Sequence, residues 1–239
     1  MRVLGIIPAR YNSRRFPGKP LIDIVGKSMI QRVHNLAKQS NVNRLIVATD
    51  DERIVDEVNR IQGEVMLTSD SHLSGTDRCN EVIEKLDKKF DIIVNIQGDE
   101  PLINPKQINQ LIAVFKDQNV QIATLAKQIK EPIEISDHNT PKVLFDENNI
   151  ALSFDREINY TTSRYYKHIG LYAYRSAVLN KICQLNPSKK ELELKLEQWR
   201  WLENNYQIKI VETNFESYAI DTPEDLKKII ETFGKTSLK

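Results

Sequence analysis

Between Val3 and Gln118 the chain alternates short runs of branched aliphatics with amphipathic segments, and that alternation leaves few folds open. VLGIIPA, RLIVATD and DIIVNIQGDEP read as strands buried on both faces, with EVMLT a shorter one. Between them KSMIQRVHNLAKQS carries Met29, Ile30, Val33, Leu36 and Ala37 at helical spacing. DERIVDEVNRIQ and TDRCNEVIEKLDKK follow the same pattern. NPKQINQLIAVFKDQ adds Asn104 as an N-cap and Pro105 at the first helical position, where a missing amide costs nothing. Repeated βαβ units of this kind build a mainly parallel central sheet flanked by helices, an α/β fold.

The second half changes character. VQIATLAKQI, PKVLFD, IALSFD and YKHIGLYAYR are strand-like with little helix between them, which predicts a smaller mixed or antiparallel extension. ELELKLEQWRWLENN reads as one strong helix. IKIVE and the segment around Tyr218 return to strand. TPEDLKKIIETF closes the fold as a helix, with Thr222 as N-cap and Asp225 completing a capping-box-like start. GKTSLK reads as a loose tail. The 239 residues contain no internal repeat and no low-complexity linker. They are read as one domain, 1–239, with a βαβ part near 1–130, a mixed part near 131–215, and a closing strand, acid and helix near 216–233.

Composition narrows the function. Lys and Arg number 34 against 33 Asp and Glu, so the formal net charge is +1. That balance argues against nucleic-acid binding through general electrostatics. Cys79 and Cys183 stand far apart with no metal-ligand spacing, and read as small buried hydrophobes. The N-terminus lacks a signal-peptide pattern and no apolar run approaches membrane-spanning length, which predicts a cytoplasmic protein.

Against that neutral background, PARYNSRRFPGK concentrates positive charge directly after the first strand. A charge run is usually a solvated turn. This one follows a strand, contains the rigid Pro17-Gly18 turn and leads towards a helix, which suits a loop presenting cations and amides to a polyphosphate. It matches neither GxxxxGK[ST] nor GxGxxG. Ligands of open α/β sheets bind at the carboxyl ends of strands. Thr49-Asp50-Asp51, Gln97-Gly98-Asp99-Glu100 and Asp221 are placed there or close by. Asp99 ends an apolar strand and must find a cation or donors. With a polyphosphate loop nearby, Asp99 and Asp221 make a natural magnesium site. SGTDR at 74–78 is a helix cap that can also meet a base or ribose. His168 lies in an apolar strand, where a satisfied core histidine is the commoner outcome.

Taken together, IIPARYNSRRFPGKPL, VATDDERI, SGTDR, VNIQGDEP, KHIGLYAYR, LEQWRWLE and DTPEDL resemble the blocks of the cytidylyltransferases that activate 3-deoxy-manno-octulosonate (Kdo). The resemblance runs from about Arg2 to Leu226. It implies a Rossmann-like nucleotidyltransferase fold, a homodimer, and transfer of CMP from CTP to the anomeric hydroxyl of Kdo for lipopolysaccharide biosynthesis. It implies catalytic roles for Lys19, Arg10, Asp99 and Asp221, with Mg²⁺ held by Asp99 and Asp221. Arg10, Arg15 and Lys19 would neutralise the triphosphate, and Pro8, Ala9, Ser74, Gly75 and Arg78 would lie near the cytidine. Gln97, Arg156, His168, Tyr172, Glu197 and Gln198 would line the sugar side. One segment departs: where the family reads close to ALYFSR followed by Ile-Pro, this chain reads ALSFDREINY. Asp155 could pair with Arg156 or meet an amino group, which leaves 8-amino-Kdo, a sialic-acid-like sugar and a non-catalytic nucleotide-binding regulator as alternatives.

Overall fold

The buried aliphatic runs form strands and the amphipathic segments form helices, as their periodicities require. The structure is a computed structural model that describes residues 1–13, 15–158, 161–162 and 164–237, without the side chains of 235–237. Arg14 of the basic loop, Asn159 and Tyr160 of the departing segment, and Leu238 and Lys239 of the tail lie outside them. Two compact units emerge, Met1–Asn109 with Ser217–Lys239, and Gln110–Glu216.

In the first unit β1 (Val3–Ala9), β2 (Arg44–Thr49), β3 (Glu64–Leu67) and β4 (Ile92–Asn95) pair in the order β3-β2-β1-β4, every pair parallel. Leu4, Ile6, Ile7, Ile46, Val47, Ile92, Ile93 and Val94 are fully buried. Each such side chain contributes roughly 1.5–3 kcal/mol relative to an exposed one. The helices α1 (Met29–Ala37), α2 (Glu52–Arg60) and α3 (Gly75–Lys85) start where short polar side chains satisfy free amides. Ser28 accepts from Gln31 N at 3.2 Å, Asp51 from Arg53 N at 3.0 Å, and Ser74 from Asp77 N at 3.1 Å. Asn104 caps α4 (Pro105–Val114) as expected, accepting from Lys106 N at 3.0 Å.

The second unit is mixed. β5 (Ile122–Gln128), β6 (Lys142–Phe145), β7 (Ala151–Asp155), β8 (Tyr166–Arg175) and β9 (Ile208–Glu212) are joined by antiparallel β5–β8 and β6–β7 pairs and a parallel β5–β9 pair. Two helices escaped the periodicity reading: α5 (Pro132–Ile135), a single turn, and α6 (Ser176–Cys183). The predicted single helix at 191–205 is two, α7 (Lys189–Leu194) and α8 (Gln198–Glu203). Lys195 breaks it by adopting φ 55°, ψ 47°, a left-handed C-cap whose amide bonds back to Glu191 O.

At the chain's end α9 (Pro223–Ser237) begins with the reciprocal Thr222–Asp225 box: Asp225 N donates to Thr222 Oγ1 at 3.2 Å and Thr222 N to Asp225 Oδ2 at 2.9 Å. It continues past Phe233 through a break at Gly234, where φ is 62°, so the predicted tail is helical as far as it is described. The predicted strand around Tyr218 is absent. Ile220 N donates to Asp99 O at 2.9 Å, but one such bond builds no ladder, and the Tyr218 ring packs edge-on against Phe233. Cys79 is buried and Cys183 half-buried, neither in a disulfide. Among the described residues no helix is long and apolar enough to cross a membrane.

Candidate active site

At the carboxyl end of β1 the chain turns through the basic loop, and the turn is held from both sides. Tyr11 O accepts from Ser13 N and Gly18 N, each at 2.9 Å. Gly18 sits at φ 73°, and a Cβ there would lie 3.2 Å from the Tyr11 ring, so position 18 needs glycine on both counts. Arg53 of α2 stacks over the other side of the loop, its guanidinium carbon 3.3 Å from the Tyr11 ring centroid, while also gripping Asp51 with two nitrogens.

This turn delivers Lys19, buried in a short 3₁₀ turn at Lys19–Leu21, between two carboxylates. Its Nζ lies 2.9 Å from Asp99 Oδ2 and 3.0 Å from Asp221 Oδ1. The second oxygen of Asp221 takes Arg15 Nη2 at 2.8 Å. Burial pulls the Lys19 ammonium down, but Asp99 and Asp221 together outweigh it and hold its pKa above the ordinary value. Lys19 is therefore a fixed positive charge. Three segments far apart in sequence meet here: the basic loop, the Gly98-Asp99 turn after β4, and Asp221 before α9. Gly98 makes the approach possible, because a Cβ on it would stand 2.7 Å from Pro8 O. Next to Asp99, Glu100 is buried; desolvation raises its carboxyl to about 7, opposed by a hydrogen bond from Ser217 and reinforced by the Asp99 charge.

Around these groups lies a cleft of about 570 Å³ lined by Pro8, Ala9, Arg10, Arg15, Lys19, Ser74, Gly75, Arg78, Gln97, Asp99 and Asp221, among others. All the nucleotide-side and metal-side residues expected from the sequence thus face one cavity, together with Gln97 from the sugar set. Arg78 is buried there and anchored: Nη1 donates to Thr68 Oγ1 at 2.5 Å and Nη2 to Asp50 Oδ2 at 2.7 Å. Thr68 and Asp50 hold Arg78 in place, a link that sequence reasoning did not make. Asp50 stood in the right place, after β2, but nothing in the chain pairs it with position 78. His72, also on the cleft wall, bonds Glu81 of α3, which takes Ser69 N as well at 2.9 Å. Burial pushes the Glu81 carboxyl up, but bonds from Lys85, His72 and Ser69 reverse this and bring it to about 2, so it pins the 69–72 rim as an anion. Among the described residues no group of three or more His, Cys, Asp or Glu is placed to hold a metal ion by itself.

Within the second unit His168, Tyr172, Glu197 and Gln198 come together. A bulge shifts the β5–β8 register between Thr124 and Leu125, so His168 and Tyr172 fall either side of Gly170-Leu171, with ring centroids 5.4 Å apart. Thr124 Oγ1 lies 2.9 Å from His168 Nε2 and donates within reach of Leu171 O at 2.9 Å. Burial lowers His168 to about 3, so the ring is neutral. Burial likewise raises the Tyr172 phenol, with Glu197 adding to the effect. Gln198 Nε2 donates to Tyr172 OH, while its buried Oε1 has no hydrogen-bond partner among the described residues.

Arg156 is not brought to this group. Its guanidinium bonds Leu194 O at 2.8 Å, His138 O at 3.2 Å, and Asn139 O and Lys195 O at 3.4 Å, closing the carbonyl end of α7. The Asp155–Arg156 ion pair, one of the two options open for Asp155, is absent among the described residues. Asp155 instead lines a separate cavity with Arg156, Glu157 and His138.

Residues 4–210 match the family described as cytidylyltransferase. That match, over most of a chain with this fold and cleft, places it among the cytidylyltransferases. Over 96% of its length the chain is 49% identical to the 3-deoxy-manno-octulosonate cytidylyltransferase of Parabacteroides distasonis, covering 97% of that protein. It is 48% identical to the protein of the same name from Bacteroides thetaiotaomicron, covering 95% of this chain and 96% of that one. A solved structure of CMP:2-keto-3-deoxy-manno-octonic acid synthetase complexed with CTP matches with a TM-score of 0.92 at 38% identity, over 99% of this chain and 100% of the other. The chain belongs to the 3-deoxy-manno-octulosonate cytidylyltransferase family.

Proposed function

We propose that the protein transfers CMP from CTP to the anomeric hydroxyl of Kdo, releasing pyrophosphate and supplying CMP-Kdo for lipopolysaccharide biosynthesis. The observation that carries this reading is Lys19 seated between Asp99 and Asp221 in a cleft rimmed by Arg10 and Arg15. The acceptor oxygen bonds to the α-phosphorus as the bond to the departing pyrophosphate breaks, and the hydroxyl proton is lost. Catalysis of such a transfer is mostly positioning and charge stabilisation.

Arg10, Arg15 and Lys19 take the triphosphate, Lys19 as the charge nearest the leaving group. Pro8, Ala9, Ser74 and Gly75 form the cytidine side, with Arg78 held in a set orientation by Thr68 and Asp50. Asp99 and Asp221 offer the hard oxygen donors that suit magnesium, which proteins hold by one or two carboxylates plus substrate phosphates; we assign Mg²⁺ to them. When bound, the ion neutralises phosphate charge and eases loss of the hydroxyl proton. On the acceptor side we assign Gln97, His168, Tyr172, Glu197 and Gln198. Neutral His168 acts by hydrogen bonding, and Gln198 Oε1 is an acceptor suited to a sugar hydroxyl. For Arg156 to meet the sugar carboxylate, it must exchange some of its four carbonyls for it. We also propose a cytoplasmic homodimer, checked by sedimentation velocity.

The aminated acceptor 8-amino-Kdo stays in the comparison because the segment ALSFDREINY departs from the family and adds an acid at Asp155, which lines a cavity apart from the assigned acceptor residues. The test is pyrophosphate release with CTP and magnesium, comparing Kdo, 8-amino-Kdo and sialic acid. Release with Kdo is expected. Release with 8-amino-Kdo alone would move the acceptor assignment to the amino sugar, and CTP binding without release from any of them would point to a different acceptor or to a non-catalytic regulator.

A further inference from the structure

The four charged groups at the cleft floor cancel. Asp99 and Asp221 contribute two negative charges, and Lys19 and Arg15, bonded to them at 2.8–3.0 Å, contribute two positive ones. Three of the four carboxylate contacts available to a metal at this point are thus occupied by nitrogen donors: Asp99 Oδ2, Asp221 Oδ1 and Asp221 Oδ2. A free divalent cation meets no net attraction here, and must also shed water and displace a buried ammonium.

We infer that Lys19 is the internal counter-cation of the Asp99–Asp221 pair, excluding free magnesium until a nucleoside triphosphate draws Lys19 and Arg15 onto its phosphates. The inference rests on the assignment of magnesium to these two acids. The triphosphate gives the two cations a stronger anionic partner. Their transfer uncovers both carboxylates at the moment the phosphate oxygens arrive to complete the metal's coordination. Metal and nucleotide binding are then coupled, and by linkage each tightens the other to the same degree. No covalent step is involved, and the exchange conserves charge: two ammonium-type partners leave the acids as one dication replaces them.

The experiment reads binding rather than turnover. Protein-bound Mn²⁺ is measured by electron paramagnetic resonance without nucleotide, and with CTP after correction for Mn²⁺ held by CTP alone. Wild type is expected to bind Mn²⁺ weakly without CTP and tightly with it. Lys19→Gln is expected to bind Mn²⁺ without nucleotide about tenfold tighter or more, because a unit positive charge within about 4 Å has been removed. Arg15→Gln, an exposed position whose ion pair among the described residues is with Asp221, is expected to give a smaller gain in the same direction and guards against a folding defect in the buried Lys19 variant. If neither variant binds free Mn²⁺ more tightly than wild type, while Asp99→Asn abolishes the CTP-dependent binding, the counter-cation role is wrong and the metal assignment stands. If Asp99→Asn and Asp221→Asn leave CTP-dependent Mn²⁺ binding unchanged, the metal assignment falls and takes this inference with it.

Discussion

Lys19 and its two acids show how little of a site's chemistry belongs to any one side chain. A lysine beside Pro-Gly, an aspartate after an apolar strand and an aspartate before a helix are each ordinary in isolation. Brought within 3.0 Å of one ammonium, with Arg15 2.8 Å from Asp221 as the second cation, they become part of a charge-balanced unit. Asp99→Asn is expected to lower turnover by about a hundredfold or more, since it removes a charge from the site where phosphate charge develops. Its effect on stability is expected to stay at about 1 kcal/mol, because the buried Lys19 keeps Asp221 as its partner and the Asp99 side chain is partly exposed. Steady-state kinetics beside thermal melts check both halves; near-normal turnover would remove Asp99 from the mechanism. Lys19, Asp99 and Asp221 were legible as candidates because charge at a strand's carboxyl end needs a partner. Arg78 was legible too, but its anchors were not. Thr68 and Asp50 are separated from it by 10 and 28 positions, and only the parallel β2–β3 pairing carries them to its side.

Elements were most legible where local signals agree. Asn104, Thr222 and Ser74 of the SGTDR turn cap helices as the sequence announces, because a cap is decided within four residues; Ser28 and Asp51 are caps of the same kind that sequence reasoning did not name. The misread element is the α7–α8 pair. ELELKLEQWRWLENN has helical composition throughout, yet Lys195 turns left-handed and Arg156, about forty positions earlier, binds the carbonyls thus exposed. A long-range guanidinium ends this helix, and no local pattern encodes that. Lys195→Gly separates the two possibilities. In a continuous helix glycine would destabilise by about 1 kcal/mol. At a left-handed position it is expected to be neutral or stabilising by about 0.5–1 kcal/mol, as the Cβ penalty disappears. Denaturant unfolding of the two proteins decides it, and a loss of stability would argue for the unbroken helix.

Stability across the pH range turns on two buried groups with opposite sign. Glu100 titrates near 7 in the folded protein against 4.5 as its ordinary value, so the native state holds this proton more tightly than the unfolded chain does. Its contribution is present in full below about pH 4.5 and is lost as pH rises towards 7, on the order of 3 kcal/mol in all. His168, lowered to about 3 from 6.5, acts the other way: its contribution is present above pH 6.5 and lost as pH falls towards 3. Glu100→Gln keeps an acceptor for Ser217 and removes the ionisation. It is expected to flatten the stability loss between about pH 4.5 and 7 and to melt higher than wild type above pH 7. A variant with an unchanged pH profile would show that Glu100 ionises normally.

The α/β class, the parallel character of the first sheet, the caps at Asn104 and Thr222 and the basic loop followed from the sequence alone. Those features depend on contacts within a few residues or on a periodicity of two or 3.6, and both are written along the chain. What only the tertiary structure decided depends on pairing across long separations: Lys19 with Asp99 and Asp221, Arg78 with Asp50 and Thr68, Arg156 with the end of α7 instead of Asp155. Electrostatic partners are selected by distance in space, and sequence separation carries no information about that distance until the sheet has brought the strand ends together.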